Sequence, residues 1–263
     1  MKQLDNRTIK ILFIGDIVGK PGRRAVAAIL PNLKKEEKID YVFANGENLA
    51  SGNGMTKEKY DEMMLSGIDY FTSGNHIWAI KEFIPYLDEK NIKVLRPHNY
   101  PFNIPGRGLA EIGKNILLLN LQGRVFMKES ISDPFALADK IAQENRDKII
   151  IVDIHAEATS EKVALGYYLD GKVSAVIGTH THIQTADEKI LPKGTACITD
   201  VGMTGPSDSV LGIEKEIIIE RFLTQLPQSH KVASGESIFS AVVVEINQKT
   251  KKAIKIKRFS KKL

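Results

Sequence analysis

Short apolar runs, each closed by glycine and polar residues, recur along this chain. Ile11-Leu12-Phe13-Ile14 ends in Gly15-Asp16, Tyr41-Val42-Phe43-Ala44 in Gly46-Glu47-Asn48, and Tyr70-Phe71 in Gly74-Asn75-His76. Ile149-Ile150-Ile151-Val152 runs into Asp153-Ile154-His155, and Ala175-Val176-Ile177 into Gly178-Thr179-His180-Thr181-His182. Such runs predict buried strands. Helical spacing intervenes: Val26, Ile29, Leu30 and Leu33 share one face, as do Tyr60, Met63 and Met64 behind a cap near Thr56. Further helices are expected over 81–89, from the Asp133-Pro134 cap pair to about Arg146, over 160–168 and over 214–226. Short strands are expected at 93–95, 116–121 and 195–201, the last entering a loop over 202–206. A hairpin over 237–246 and 253–259 closes the chain.

The first half thus alternates strand and helix, and the second is richer in adjacent strands. That mixture predicts an α/β fold of two packed sheets flanked by helices, in one domain over 1–263. Residues 1–8 read as a polar N-terminal extension, and 237–263 as C-terminal strands with a basic tail.

Composition narrows the class. With 263 residues, 43% hydrophobic and 26% charged, the chain can bury a substantial core. Its single cysteine, Cys197, excludes an internal disulfide and a thiolate-only metal cage, and fits a reducing compartment. No run approaches membrane-spanning length, so a cytoplasmic location without membrane association is expected. The net charge of +5 owes much to the lysines from Lys249 to Lys262. These suit a solvated edge strand that resists aggregation, with RNA as the alternative reading. The turn from Gly15 to Gly22 matches neither a P-loop nor a dinucleotide fingerprint.

The candidate chemistry lies at the strand ends. In open α/β sheets, ligands bind beyond the carboxyl ends of the strands. Asp16, Glu47, Asn48, Asn75, His76, His155, His180 and His182 all fall there, and they include four of the six histidines. If the His-x-His segment is extended, His180 and His182 point the same way. Taken singly, each residue is better explained as a cap, turn or rim group; the recurrence at five strand ends favours a metal site. Carboxylate, amide and imidazole donors without thiolate suit Mn²⁺, Fe²⁺ or Zn²⁺. So many donors exceed one tetrahedral ion and suit two ions about 3.5–4 Å apart.

Those motifs resemble the calcineurin-like binuclear metallophosphoesterases, and more closely their YmdB-type branch, described as 2′,3′-cyclic-nucleotide 2′-phosphodiesterases. The likeness spans nearly the whole chain, including Asn45-Gly46-Glu47-Asn48, Leu121-Gln122-Gly123-Arg124, His155 to Lys162 and Ile198 to Met203. It departs from the broad pattern where Val18 replaces a histidine and Glu47 replaces a bridging aspartate, both in keeping with the branch. The resemblance implies a four-layer α/β/β/α sandwich of two mixed sheets. It assigns Asp16, Glu47, Asn48 and His182 to one ion, and Glu47, Asn75, His155 and His180 to the other, with iron or manganese preferred and zinc tolerated. His76 is left for proton donation or for hydrogen bonding to phosphate. The implied reaction is in-line attack of a metal-bridging hydroxide on a cyclic nucleotide or other small phosphodiester. The alternatives are a phosphomonoesterase or RNA 3′-end processor, and a nucleotide- or RNA-binding regulator with little turnover. Arg124 is a candidate phosphate or base contact, or an ordinary surface arginine. Natural substrate and oligomeric state, a homo-oligomer included, stay open.

Overall fold

A computed structural model describes residues 8–263; apart from Thr8, the expected extension over 1–8 lies outside the described residues. The chain runs β1 (Thr8–Ile14), β2 (Asp16–Ile17), α1 (Gly19–Glu36), β3 (Tyr41–Asn45), α2 (Lys57–Leu65) and β4 (Tyr70–Thr72). After β5 (Leu109–Ile112) and β6 (Ile116–Gln122) come α3 (Pro134–Glu144), β7 (Ile149–His155), α4 (Thr159–Tyr168) and β8 (Ala175–Thr179). The remainder is β9 (Lys189–Ile190), β10 (Ala196–Ile198), β11 (Met203–Pro206), α5 (Lys215–Thr224), β12 (Ser237–Asn247) and β13 (Ala253–Lys262).

Two mixed sheets result. One has the order β2-β11-β12-β1-β3-β4, with β13 added on β12; the other is β5-β6-β7-β8-β10-β9. Side-chain alternation sorts each strand between layers. From β1, Ile9, Ile11 and Phe13 meet Ile149, Ile151, Val242 and Val244 between the sheets. Its Leu12 and Ile14 instead pack on Val26, Ile29, Leu30 and Leu33 of α1. From β7, Ile150, Val152 and Ile154 face Ala138 and Ile141 of α3 and Leu165 of α4. The expected α/β/β/α layering is therefore present. Both faces of the central strands are covered, which is why they read as unbroken apolar runs. Each fully buried Leu, Ile or Phe contributes about 1.5–3 kcal/mol.

Several local expectations hold. Asp133 caps α3 by accepting from the Phe135 amide at 2.8 Å, and Thr56 caps α2 by accepting from Lys59. The hairpin is β12 with β13, antiparallel. Strand β13 pairs with β12 alone among the described residues, with Lys255, Lys257, Lys261 and Lys262 exposed, as a solvated edge would be. No helix is long and apolar enough to cross a membrane among the described residues.

Others change. The helix expected over 81–89 is a 3₁₀ segment, Lys81–Asp88, because Pro85 has no N–H for an α-helical bond. The strand at 93–95 reduces to isolated bridges of Val94 to Phe71 and Leu95 to Arg107. The expected strand over 195–201 contracts to β10. The loop expected over 202–206 is strand β11, parallel to β2 and antiparallel to β12. Its glycine and proline suggest a turn, but a Cβ at Gly205 would stand only 3.0 Å from the Val18 Cβ, so the glycine lets the strand approach that residue closely. Only the tertiary neighbour reveals that approach.

Candidate metal centre

Strands β1, β3 and β4 are mutually parallel, and so are β7 and β8, so each set ends at one edge. The two edges meet. Asn45, closing β3, donates from Nδ2 to Asp153 Oδ2 of β7 at 3.2 Å, joining the sheets beneath the ligands. Above this bond, Glu47, His155 and His180 each offer a ligand atom within 4.8 Å of the others.

Hydrogen bonds decide which imidazole nitrogens carry lone pairs. Thr179 Oγ1 donates to Asp153 Oδ1 at 2.8 Å and so accepts from His155 Nδ1 at 2.9 Å. His155 Nε2 is then a bare acceptor, 3.0 Å from Glu47 Oε2. His180 Nε2 lies 3.1 Å from Glu157 Oε2 and donates to it, which turns the Nδ1 lone pair toward His155 Nε2 at 2.9 Å. Two imidazole lone pairs and a carboxylate oxygen thus converge on one point, and only a cation or a proton satisfies them. The titration pattern describes the proton-filled alternative. Burial works against charge on His155, but Glu47, Asp16 and Asp153 outweigh it and push its pKa up to about 9. Burial and the adjacent His155 pull His180 down to about 3. Glu47 is held well below the usual carboxylate range, since His155 and His76 outweigh its burial.

A second group sits alongside. Asp16 is wholly buried, and its pKa is raised by that burial, partly offset by His182 and His155. Its Oδ2 accepts from the His180 amide at 3.2 Å, while Oδ1 has no hydrogen-bond partner. His182 donates from Nδ1 to the Leu211 carbonyl at 2.9 Å, leaving Nε2 free, 3.9 Å from Asp16 Oδ1. Asn48 Oδ1 and Asn75 Oδ1 are likewise buried and unpaired. Three unpaired buried oxygens on three expected ligands fit a cation-binding site, because such atoms are otherwise costly. The group borders a cavity of about 230 Å³ lined by Glu47, Asn48, His76, Glu157, His180 and His182.

The YmdB-like protein family matches residues 12–259. The chain belongs to the YmdB-like family. A similar relative is a Bacillus subtilis protein named 2′,3′-cyclic-nucleotide 2′-phosphodiesterase, 50% identical over 95% of this chain and 96% of its own. Among solved structures, a hypothetical protein from Thermus thermophilus superposes with a TM-score of 0.90 at 41% identity, over 97% of this chain and 99% of that one. A structure described as a novel phosphatase from Mycoplasma pneumoniae gives 0.91 at 35% identity, over 97% and 94%.

In this YmdB-like chain the expected donors other than Asn75 lie in one region, but not with equal closeness. Glu47, His155 and His180 form the tight group; Asp16 and His182 lie beside it, and Asn48 touches His76 at 3.2 Å. For Asn75 the support is its unpaired oxygen. His76 stands at the cavity wall, with Nδ1 3.3 Å from Glu47 Oε1. Arg124 pairs with Asp133 at 3.3 Å and is half-exposed.

One expectation is corrected. His180 and His182 are not in an extended segment: β8 stops at Thr179, and the two histidines have φ of 97° and 64°. Left-handed backbone at two non-glycine residues is strained, by about 1–3 kcal/mol each. What holds it is a network that sequence reading missed. Asp200 Oδ2 accepts from both the amide and the hydroxyl of Thr181, at 3.0 and 2.7 Å. Buried Lys162 Nζ reaches Asp200 Oδ2 at 2.7 Å and the Thr179 carbonyl at 2.8 Å. Asp153, Thr179 and Glu157 orient the His155 and His180 imidazoles and were missed too. An aspartate inside the run Ile149–Ile154 was the one available signal, since a carboxylate there must find buried partners. Gly74 is also structural to the site: a Cβ there would lie 2.2 Å from Glu47 Oε2 and 2.3 Å from His155 Nε2.

Proposed function

We propose that this protein is a metal-dependent phosphodiesterase that opens 2′,3′-cyclic nucleotides at the 2′-oxygen, leaving a 3′-phosphate. The observation that carries it is the convergence of Glu47, His155 and His180 lone pairs beside the unpaired Asp16 oxygen. The substrate class rests on the 50%-identical Bacillus subtilis relative and its name. Asp16, Glu47, Asn48 and His182 would hold one divalent ion, and Glu47, Asn75, His155 and His180 the other; iron or manganese would suit this donor set, with zinc tolerated. When bound, such a pair lowers the pKa of water and neutralises phosphate oxygens.

The chain's own groups do the rest. Asp153, through Thr179, fixes His155 with Nε2 as acceptor; Glu157 does the same for His180 Nδ1, and the Leu211 carbonyl for His182 Nε2. His76 is free of these duties. Its hydrogen bond to Glu47 raises its pKa against the cost of burial, favouring the imidazolium. From the cavity wall it donates a proton to the departing 2′-oxygen as water adds to phosphorus and the bond from phosphorus to that oxygen breaks. Mn²⁺-supplemented protein is therefore expected to convert 2′,3′-cyclic AMP to adenosine 3′-monophosphate, followed by ³¹P NMR. A 2′-phosphate product would refute the stated bond cleavage, and no turnover with metal measured as bound would refute the enzyme.

A further inference from the structure

A second cavity, of about 530 Å³, opens directly beside the metal group and shares Asn48, His76, His182 and Leu211 with it. Its far wall is one face of α5 and its C-terminal cap: Ile218, Arg221, Phe222 and Gln225, spaced i, i+3, i+4 and i+7. That spacing is what a helix uses to seat on a core, yet α5 buries no residue. None of the three core clusters includes an α5 side chain. Phe222 is 73% exposed and lines this hollow. Beside it, Arg221 Nη1 lies 3.3 Å from His230 Nε2, so a guanidinium sits in the wall of a largely apolar hollow. Sequence reading gave His230 no role.

We propose that this hollow is a nucleoside subsite, in which Phe222 stacks on the base of the substrate and Arg221 donates to its polar edge. The proposal rests on the phosphodiesterase reading and deepens it, because it names the side chains that select a nucleotide over a bare cyclic diester. Three features favour a base as occupant. The volume falls in the range of small-molecule sites, and an apolar lining with few polar groups is typical of them. An exposed aromatic next to a guanidinium is the usual platform for a nucleobase, tolerant of sequence because every base has a π-face. The hollow adjoins the metal group through His76 and His182, so a phosphate held there carries its nucleoside toward α5.

The test compares kcat/KM for 2′,3′-cyclic AMP with that for ethylene phosphate, which has the five-membered cyclic diester and no nucleoside. Phe222→Ala is expected to lower the ratio by about tenfold, the loss of one base–aromatic contact. Leu223→Ala, on the opposite, 80%-exposed face of α5, is expected to leave the ratio as in the native protein. Binding of adenosine 3′-monophosphate should weaken in Phe222→Ala relative to binding of inorganic phosphate. An unchanged ratio in Phe222→Ala, with both substrates still hydrolysed, overturns the subsite and leaves the phosphodiesterase standing. Equal losses on both substrates, accompanied by a change in sedimentation, would make α5 a contact between copies of the chain and overturn the subsite. Hydrolysis of neither substrate by metal-loaded native protein overturns both.

Discussion

Lys162→Met removes the cation that holds the His180–His182 loop. Lys162 and Asp200 are 3% and 0% exposed, and their charged atoms lie 2.7 Å apart. Methionine keeps most of the side-chain volume, so the loss is electrostatic and not a cavity. Breaking a buried pair by removing one partner costs about 3–5 kcal/mol, because a buried charge is left uncompensated. Asp200 keeps three donors, from Thr181 N, Thr181 Oγ1 and Gly202 N. The lower end, about 3 kcal/mol, is therefore expected, a large share of a typical stability of about 5–15 kcal/mol. The Thr179 carbonyl also loses its lysine donor, so the strained loop relaxes and Mn²⁺ affinity should fall by about 10–100-fold, as for other groups that orient metal ligands. Urea unfolding of the metal-free protein reads the first quantity, and Mn²⁺ titration by calorimetry the second. The double variant Lys162→Met/Asp200→Leu removes the orphan charge but leaves Thr181 N, Thr181 Oγ1 and Gly202 N without their acceptor, so it should recover neither the stability nor the affinity. A single variant within about 0.5 kcal/mol of the native protein, or a double variant with native affinity, would refute this account of the loop.

Three further outcomes follow from the same geometry. Glu47→Gln should lower turnover by at least about a hundredfold with metal still bound at one position, because Glu47 is the donor common to both proposed ligand sets; native turnover by the loaded variant would exclude that role. His76 has a pKa raised above its usual value of about 6.5, so the imidazolium is fully present below that value and is lost as pH rises through the raised one. Turnover should accordingly fall on the alkaline side, and His76→Ala should lower the rate by about 10²–10⁴ and remove that limb of the kcat profile. Gly74→Ala forces a Cβ to within 2.2 Å of Glu47 Oε2 and should reduce Mn²⁺ affinity at least about tenfold, with a far-ultraviolet dichroism spectrum that stays native; native affinity would show that Gly74 does not set the approach of Glu47 to His155.

Much of the architecture was legible before any coordinates. Strands covered on both faces must be apolar throughout, so the runs at 11–14, 149–152 and 175–177 stand out. For the same reason a polar residue ending such a run is conspicuous, and Asp16, Glu47, His155 and His180 were found that way. Caps such as Asp133 are equally local, since the donor and acceptor lie two residues apart. Tertiary structure alone decided the rest. Asn45 meets Asp153 across 108 residues, and Lys162 meets Asp200 across 38. No periodicity encodes such partners, because each residue alone reads as an ordinary polar position. The left-handed turns at His180 and His182 are unfavourable in isolation and exist only because those distant bonds offset the strain. Strand β11, too, is a turn by composition and a strand by its neighbours, β2 and β12. Local chemistry names the donors; only packing between two sheets brings their lone pairs to a common point.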